Sequence, residues 1–183
     1  MLPFLRFRKK LTNGLGTGLM SVSMKETLRN ESPPIRIDRN GVWYFRGMEM
    51  TRFEIVQYFY NHLQRDANGK YRIEIADDQC PVQVDDAPYV VQGISELPSE
   101  ANGRQCIVVC LSDGTREVLN PETLRIGEGN VPYCRVKQGD HEARFTRQAY
   151  YQLAEYIQHD PKNDRFFMKH GGHSYDLTEK QPI

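Results

Sequence analysis

The sequence predicts an α+β fold built from two related halves, and three observations support this. Runs with alternating apolar residues are separated by Asn-Gly and Asp-Gly pairs, which is typical of strands and tight turns. Two segments carry apolar residues at helical spacing. The helix start TRFEIVQ at residues 51–57 recurs as TRQAYYQ at residues 146–152, an offset of 146 − 51 = 95. Each half is therefore expected to contain strand, helix, strand and strand, with extra antiparallel strands in the second half.

The first half is expected over residues 33–95. It should begin with a hairpin around Asn40-Gly41, between IRID and GVWYF. A helix should follow, with Thr51 as its N-cap and Glu54 completing a capping box, and it should run to a turn near Asp66. The alternating runs KYRIEIAD and PVQVDD predict two further strands.

The second half is expected over residues 96–183, with a loosely placed boundary. APYVVQGISEL extends the sheet across that boundary, and a polar loop follows at Asn102-Gly103. RQCIVVCLS and TREVLN predict a hairpin, and NPETLRIGEGN is taken as a turn and connector. VPYCRVK predicts a strand, and GDHEARF leads from it into Thr146. The second helix should run from Thr146 to Pro161, because the residue before proline disfavours helix. DRFFMKH and HSYDL predict a last hairpin around Gly171-Gly172.

The first 32 residues form a basic and then glycine-rich stretch, which is expected to be a disordered or weakly ordered tail. Glycines interrupt any apolar region of the kind that a signal peptide needs. In an equivalent interpretation, the protein starts at Met24 and the residues before it are translated upstream sequence.

Composition restricts the classes of partner. The 183 residues include 24 Lys and Arg against 24 Asp and Glu, so the chain lacks the overall positive field that drives nucleic-acid binding. Its longest apolar runs are too short for a membrane span. The four cysteines do not form a disulfide framework, which favours a cytoplasmic protein with reduced thiols. We therefore expect neither a nucleic-acid nor a membrane partner.

Two arginines stand where a positive charge opposes the helix dipole. Arg52 and Arg147 each occupy the expected first turn of a helix. Each could form a structural ion pair, for example with Asp85, Asp86 or Glu142. Each could instead capture an anion together with the free N–H groups of the helix start.

We assign the anion site to Arg147, since the basic residues Arg135, Lys137 and Arg144 lie in the same half. Arg52 is expected to form the structural ion pair instead, with Asp85 or Asp86 as its partner. The predicted ligand-binding set is thus Arg147, Arg144, Arg135 and Arg52.

Cys134 is the candidate reactive thiol, because a nearby guanidinium would raise its thiolate fraction. Its neighbour Arg135 should point to the opposite face of the strand, so Arg144 or Arg147 would have to act. The alternative is a small buried hydrophobe. The HGGH motif at residues 170–173 offers two metal ligands but no third, so no metal site is predicted. Phosphate-loop and dinucleotide motifs do not occur, and no cofactor is predicted.

Several motifs together resemble a bacterial family known as domain of unknown function 1285. They are GVWYFRG, TRFEIVQYF, GKYRIE and PVQVDDAPYVV in the first half, with YCRVK and ARFTRQAYYQLAEY in the second. The resemblance covers roughly residues 33–180. It implies a duplicated α+β core with a C-terminal half loosely like a pleckstrin-homology fold. It also implies a pocket between the halves, a reactive cysteine and a signalling role, but no established substrate.

The function expected from the sequence is a binding or signalling module for a small anionic ligand or a protein partner, with its pocket between the halves. A thiol-dependent enzyme with Cys134 as nucleophile is the alternative. A purely structural interaction protein that uses its strand edges is a third interpretation. The sequence leaves the oligomeric state and the identity of the ligand open.

Overall fold

A computed structural model of the protein describes residues 33–98 and 105–177. The expected tail at residues 1–32 and the loop at Asn102-Gly103 lie outside the described residues. The described residues form one compact unit, with strands as the main element and two helices. The predicted α+β class is confirmed.

The first six strands form one sheet, and a helix lies between the third and fourth of them along the chain. The elements are β1 (Ile35–Ile37), β2 (Trp43–Phe45), β3 (Met48–Glu49), α1 (Phe53–Tyr60), β4 (Leu63–Arg65), β5 (Tyr71–Ile75) and β6 (Asp78–Val84). Their order across the sheet is β3-β2-β1-β6-β5-β4. All neighbours are antiparallel except β1 and β6, which pair in parallel.

The second sheet contains β7 (Tyr89–Pro98), β8 (Gln105–Leu111), β9 (Arg116–Val118), β10 (Arg125–Ile126), β11 (Pro132–Val136) and β12 (His141–Phe145). Its order is β10-β11-β12-β7-β8-β9, and β7 pairs in parallel with β12. The segment GDHEARF was given no element of its own from the sequence, but most of it forms β12. His141, Ala143 and Phe145 are all buried, so the segment is a strand with alternating burial.

A second helix and a small third sheet complete the described chain. They are α2 (Arg147–Ala154), β13 (Ile157–Asp160), β14 (Arg165–His170) and β15 (His173–Asp176), and the last three strands form an antiparallel meander. Each helix has eight residues. Within the described part of the chain, no helix has the length and apolar character needed to cross a membrane.

The hairpin predicted around Asn40-Gly41 is confirmed, and side-chain hydrogen bonds explain its shape. The Asp38 carboxylate accepts from the backbone N–H groups of Asn40 and Val42 at 2.8 and 2.9 Å. Gly41 has φ of +79°, and an added Cβ would lie 2.9 Å from Cγ2 of Val90. Glycine is therefore required here both for its backbone angle and for the close approach of the second sheet.

Both helices end earlier than predicted. The expected ends near Asp66 and Asp160 are wrong, because a short strand follows each helix after only two residues. Leu63 and Ile157 fit the apolar stripe of a longer helix, yet each packs against the core from a strand. Periodicity alone could not separate the two arrangements.

A side-chain cap forms at the second helix and not at the first helix, where it was predicted. Helix α1 begins after Arg52, which is its N-cap and provides no side-chain hydrogen bond, so the predicted capping box of Thr51 and Glu54 is wrong. At α2, the Thr146 hydroxyl accepts from the backbone N–H of Ala149 at 3.1 Å. The second helix start is thus the one stabilised by its cap.

The offset of 95 residues extends well beyond the repeated helix start. Adding 95 to the bounds of β4 (63–65) and β5 (71–75) gives 158–160 and 166–170, which lie within β13 and β14. The positive-φ turn positions Gly69 and Ala76 correspond in the same way to Asp164 and Gly171. Matching elements and turn angles support the predicted duplication. However, the first half has three strands before its helix and three after it, rather than one and two.

The two halves share one apolar core. Ile37 and Trp43 from the first sheet belong to the same cluster of buried residues as Val91, Phe145 and Met168. The expected boundary between residues 95 and 96 falls inside β7. The two sheets are thus held together by the packing of their apolar faces.

Candidate functional site: a groove between the two halves

Two adjoining cavities of about 620 and 500 Å³ lie between the first and second sheets. Both are bordered by Arg65 and Gly69 of the β4–β5 turn. Across from this turn, the first cavity is bordered by Asp86, Pro88 and Glu142, and the second by Asp140 and His141. We call the two cavities together the junction groove.

Two of the three carboxylates on the second-sheet side, Asp86 and Glu142, are neutralised by arginines, whereas Asp140 forms no ion pair with a described residue. Asp86 forms an ion pair with Arg144 and accepts from the Tyr133 hydroxyl at 3.0 Å. Glu142 binds Arg125 through two hydrogen bonds of 2.6 Å, the bidentate arrangement that makes such pairs strong. These carboxylates are therefore held by cations of the protein itself.

The cationic groups on the first-sheet side have no such partner. Arg65 and Lys70 form no ion pair within residues 33–98 and 105–177, and the Arg65 guanidinium lies 5.9 Å from the Tyr71 ring centroid. The nearby Asp66 carboxylate is occupied by the backbone N–H groups of Asn68 and Lys70 at 2.9 and 2.8 Å. Two positive side chains are thus left to face the groove and the solvent.

His141 is the most buried ionisable group on the groove. It is 7% exposed, and its ring lies 5.9 Å from that of Tyr71 and 5.3 Å from that of Tyr89. Its Nδ1 atom is buried without a hydrogen-bond partner. Burial lowers the pKa of His141, so the neutral imidazole is favoured at neutral pH.

The partner predicted for Arg52 is contradicted by the ion pairs that form. Asp85 binds Arg36 at 3.4 Å, and Asp86 binds Arg144. Arg52 itself is exposed at the start of α1. The physical reason is sheet register, since the parallel pairing of β1 with β6 places Arg36 beside the end of β6, where Asp85 follows.

The other three predicted arginines divide between two places. Arg147 is exposed on α2, where its guanidinium donates to the Tyr151 hydroxyl at 3.1 and 3.2 Å. Arg135 donates to the Gly139 carbonyl at 3.0 Å and lies near enough to Tyr71 to lower the pKa of that phenol, against the larger raising effect of burial. None of these three arginines is among the lining residues of the junction groove, although Arg144 binds Asp86, which borders it.

Cys134 is 1% exposed and belongs to the shared core. Burial raises the pKa of its thiol to about 12, and Glu117 and Glu142 add to the effect. Arg135 is exposed on the other face of β11, as the strand geometry predicts. A thiol in this setting is almost entirely protonated at neutral pH, which gives no support to a nucleophilic role.

The histidines of HGGH face each other across the last hairpin, as expected. His170 pairs in register with His173. The Nδ1 atom of His170 accepts from the backbone N–H of Ile107 at 3.1 Å, so this ring joins the third sheet to the second. Among the described residues, no group of three or more His, Cys, Asp or Glu side chains is arranged to hold a metal ion.

Arg65, Lys70, Tyr71 and His141 were missed by sequence reasoning. The sequence ANG was interpreted as a turn between a helix and the strand KYRIEIAD, and the cations on its two sides, Arg65 and Lys70, were given no role. Paired positive residues on either side of a tight turn could have marked the position. His141 had no neighbouring motif, and only the parallel pairing of β7 with β12 brings it to the groove.

These observations define an α+β protein with two similar six-stranded sheets and a charged groove between them. Residues 26–87 match the model of the N-terminal domain of the domain of unknown function family DUF1285. The resemblance inferred from the sequence motifs is confirmed.

Solved structures of the same family are similar to this chain. A DUF1285 family protein from Silicibacter pomeroyi has a TM-score of 0.66 and 21% identity, with 81% of each chain covered. One from Shewanella baltica has a TM-score of 0.57 and 19% identity, covering 67% of this chain and 91% of its own. At these identities the likeness concerns the fold alone. The comparison with curated proteins gives no match.

Proposed function

We propose that this protein is a binding module whose junction groove holds a small oxyanion. The observation that carries the proposal is the contrast between the cations on its two sides. Arg125 and Arg144 are each neutralised by a carboxylate of the protein, whereas Arg65 and Lys70 form no ion pair with any residue that the structure describes. Unpaired guanidinium and ammonium groups on one cleft attract anions, and arginine suits carboxylate and phosphate groups in particular.

The groove favours an anion with an apolar or aromatic body. Its first cavity is bordered by the apolar side chains of Pro33, Pro81, Val82, Val84 and Pro88 and by the ring of Tyr71. A cavity with apolar walls and a few polar groups is the usual form of a small-molecule site. A hydrophobic ligand body would pack on these walls while its oxyanion reaches Arg65.

The proposal includes a signalling role and a cytoplasmic location. The four cysteines are all free, which favours a reducing compartment. In this proposal the second half serves as a rigid platform, loosely like a pleckstrin-homology fold, and ligand binding in the groove alters the surface offered to a protein partner.

The test is a thermal-shift measurement with benzoate, citrate and sulfate, each against chloride at equal ionic strength. A ligand that binds only the folded state raises Tm by mass action. We expect at least one probe to raise the Tm of the native protein and the effect to disappear in Arg65→Gln. Arg147→Gln is the matched control, because Arg147 also lacks an acidic partner among the described residues but is not a groove residue.

If Arg147→Gln loses the Tm shift and Arg65→Gln keeps it, the site is the one predicted from the sequence at the start of α2. If no probe raises Tm above the chloride control, the groove is not an anion site and the proposal fails.

A further inference from the structure

His141 is a buried polar side chain without a hydrogen-bond partner, and it borders the second cavity of the junction groove. Neither ring nitrogen bonds to any residue that the structure describes. Buried polar groups in folded proteins are nearly always paired. Nδ1 is enclosed by the protein, whereas Nε2 is not among the enclosed unpaired atoms, so Nε2 is the ring nitrogen that a group in the cavity can reach. The same cavity is also bordered by the guanidinium of Arg65 and by the carboxylates of Asp66 and Asp140.

The groups that face His141 come from four neighbouring segments. They are Lys137 and Asp140 of the β11–β12 turn, Arg65 of β4, Tyr71 of β5 and Tyr89 of β7. The residue opposite it on β11 is Val136, which has no ionisable group. Two cations and one carboxylate therefore surround the ring, together with two phenols.

Most of these groups have a fixed charge near neutral pH. Burial raises the pKa of Tyr71 and of Tyr89, so both hydroxyls stay neutral. The Lys137 ammonium is 2.7 Å from Asp113 and 3.0 Å from Glu117, and these hydrogen bonds outweigh burial and raise its pKa. His141 is thus the group at this end of the groove that can change its charge near neutral pH.

We propose that His141 is a ligand-binding residue of the junction groove, and that an oxyanion held by Arg65 also bonds to the His141 ring, which takes up a proton as the anion binds. This inference rests on the function proposed above and adds a second recognition group and a pH dependence to it. The ligand class it defines is an oxyanion whose head group bridges a guanidinium and an imidazolium. Binding should therefore strengthen as the pH falls.

The direction of the pH effect follows from the surroundings of the ring. In the free protein, burial and the positive charges of Arg65 and Lys137 oppose protonation, and only Asp140 favours it. A bound anion adds negative charge and a hydrogen bond to the charged form, and both raise the pKa of the histidine. Because linkage is reciprocal, a shift of about one pH unit corresponds to about tenfold tighter anion binding by the protonated form.

The experiment follows the imidazole nitrogens by NMR between about pH 5 and 8, the range in which histidine titrates. The five histidines are observed in long-range proton–nitrogen spectra, and His141 is assigned with His141→Asn. Sulfate and benzoate are the probes, since neither takes up a proton near neutral pH, and chloride at equal ionic strength is the control. We expect saturating probe to raise the His141 midpoint by about one pH unit while His170, which is bonded to Ile107, does not move.

Arg65→Gln provides a second measurement that does not depend on the folding of His141→Asn. In this variant the probe-dependent shift of His141 should be lost although the ring is intact. If a probe binds with dependence on Arg65 but leaves the His141 midpoint unchanged, the role of His141 is overturned and the proposed function stands. If neither probe binds, both are overturned.

Discussion

At the residue scale, two buried histidines resist protonation. The Nδ1 atom of His170 must carry no proton, because it accepts from the Ile107 N–H. His141 is neutral because burial disfavours its charged form. Burial lowers the pKa of both rings below the ordinary value of about 6.5. Both side chains therefore link the stability of the fold to pH.

The free energy of unfolding should fall as the pH is lowered from about 6.5 to 5, because the unfolded chain binds protons that the folded rings resist. The contribution is fully present above the unfolded-state pKa and is lost as the pH falls from there through the folded-state pKa. Urea unfolding of the protein and of His170→Leu at several pH values checks this. The variant should have a shallower pH dependence, whereas the exposed control His173→Leu should keep the original slope. Equal slopes in all three proteins would contradict the assignment.

At the element scale, alternating apolar residues and turn pairs predicted most strands correctly, because each such run has one face in the core. The helix ends could not be predicted in this way, since Leu63 and Ile157 are inward-facing in either arrangement. The caps were also ambiguous, because Thr51 and Thr146 are both followed by arginine and only one bonds to its helix. In α1 the chain takes its extended conformation at Arg52, one residue later than the repeat suggests.

Replacing the two threonines by alanine should therefore give unequal losses of stability. Thr146→Ala removes the acceptor of the Ala149 N–H and should cost about 0.5–2 kcal/mol. Thr51→Ala removes no cap and should change the free energy of unfolding by less than about 0.5 kcal/mol. Urea midpoints of the two variants beside the parent protein decide the matter. A larger loss of stability in Thr51→Ala would mean that Thr51 caps α1, as predicted from the sequence.

At the scale of the whole molecule, the two halves contain matching elements but pack around one shared core. The Tyr60 ring of α1 stacks 4.8 Å from that of Tyr89, and its hydroxyl lies 2.8 Å from that of Ser112. Contacts of this kind, between residues far apart in the chain, also form the junction groove. The candidate site could not be predicted from the sequence for that reason, because Arg65 and His141 meet only through the packing of two sheets.

A single shared core predicts one cooperative unfolding transition. Trp43, the one tryptophan of the chain, is buried in the first half, and Cys134 is buried in the second. Tryptophan fluorescence and the reactivity of Cys134 toward a thiol reagent should therefore give the same urea midpoint. To isolate the second probe, the other three cysteines are replaced by serine, and the fluorescence midpoint of that variant serves as its reference. Two separated midpoints would mean that the halves unfold independently.

The parallel pairs β1–β6 and β7–β12 restrict the order in which the newly made chain can fold. Ile35 pairs with Val82, which is 82 − 35 = 47 residues later, and Tyr89 pairs with Ala143, 143 − 89 = 54 residues later. Hairpins can form as soon as their residues leave the ribosome, but each sheet must wait for its distant closing strand. Pairings at such separation slow folding, because the entropy of closing the loop is lost before the contacts form. Until β6 and β12 have been made, β1 and β7 each keep one unpaired edge. These edges are the part of this protein where a chaperone would be needed most during synthesis.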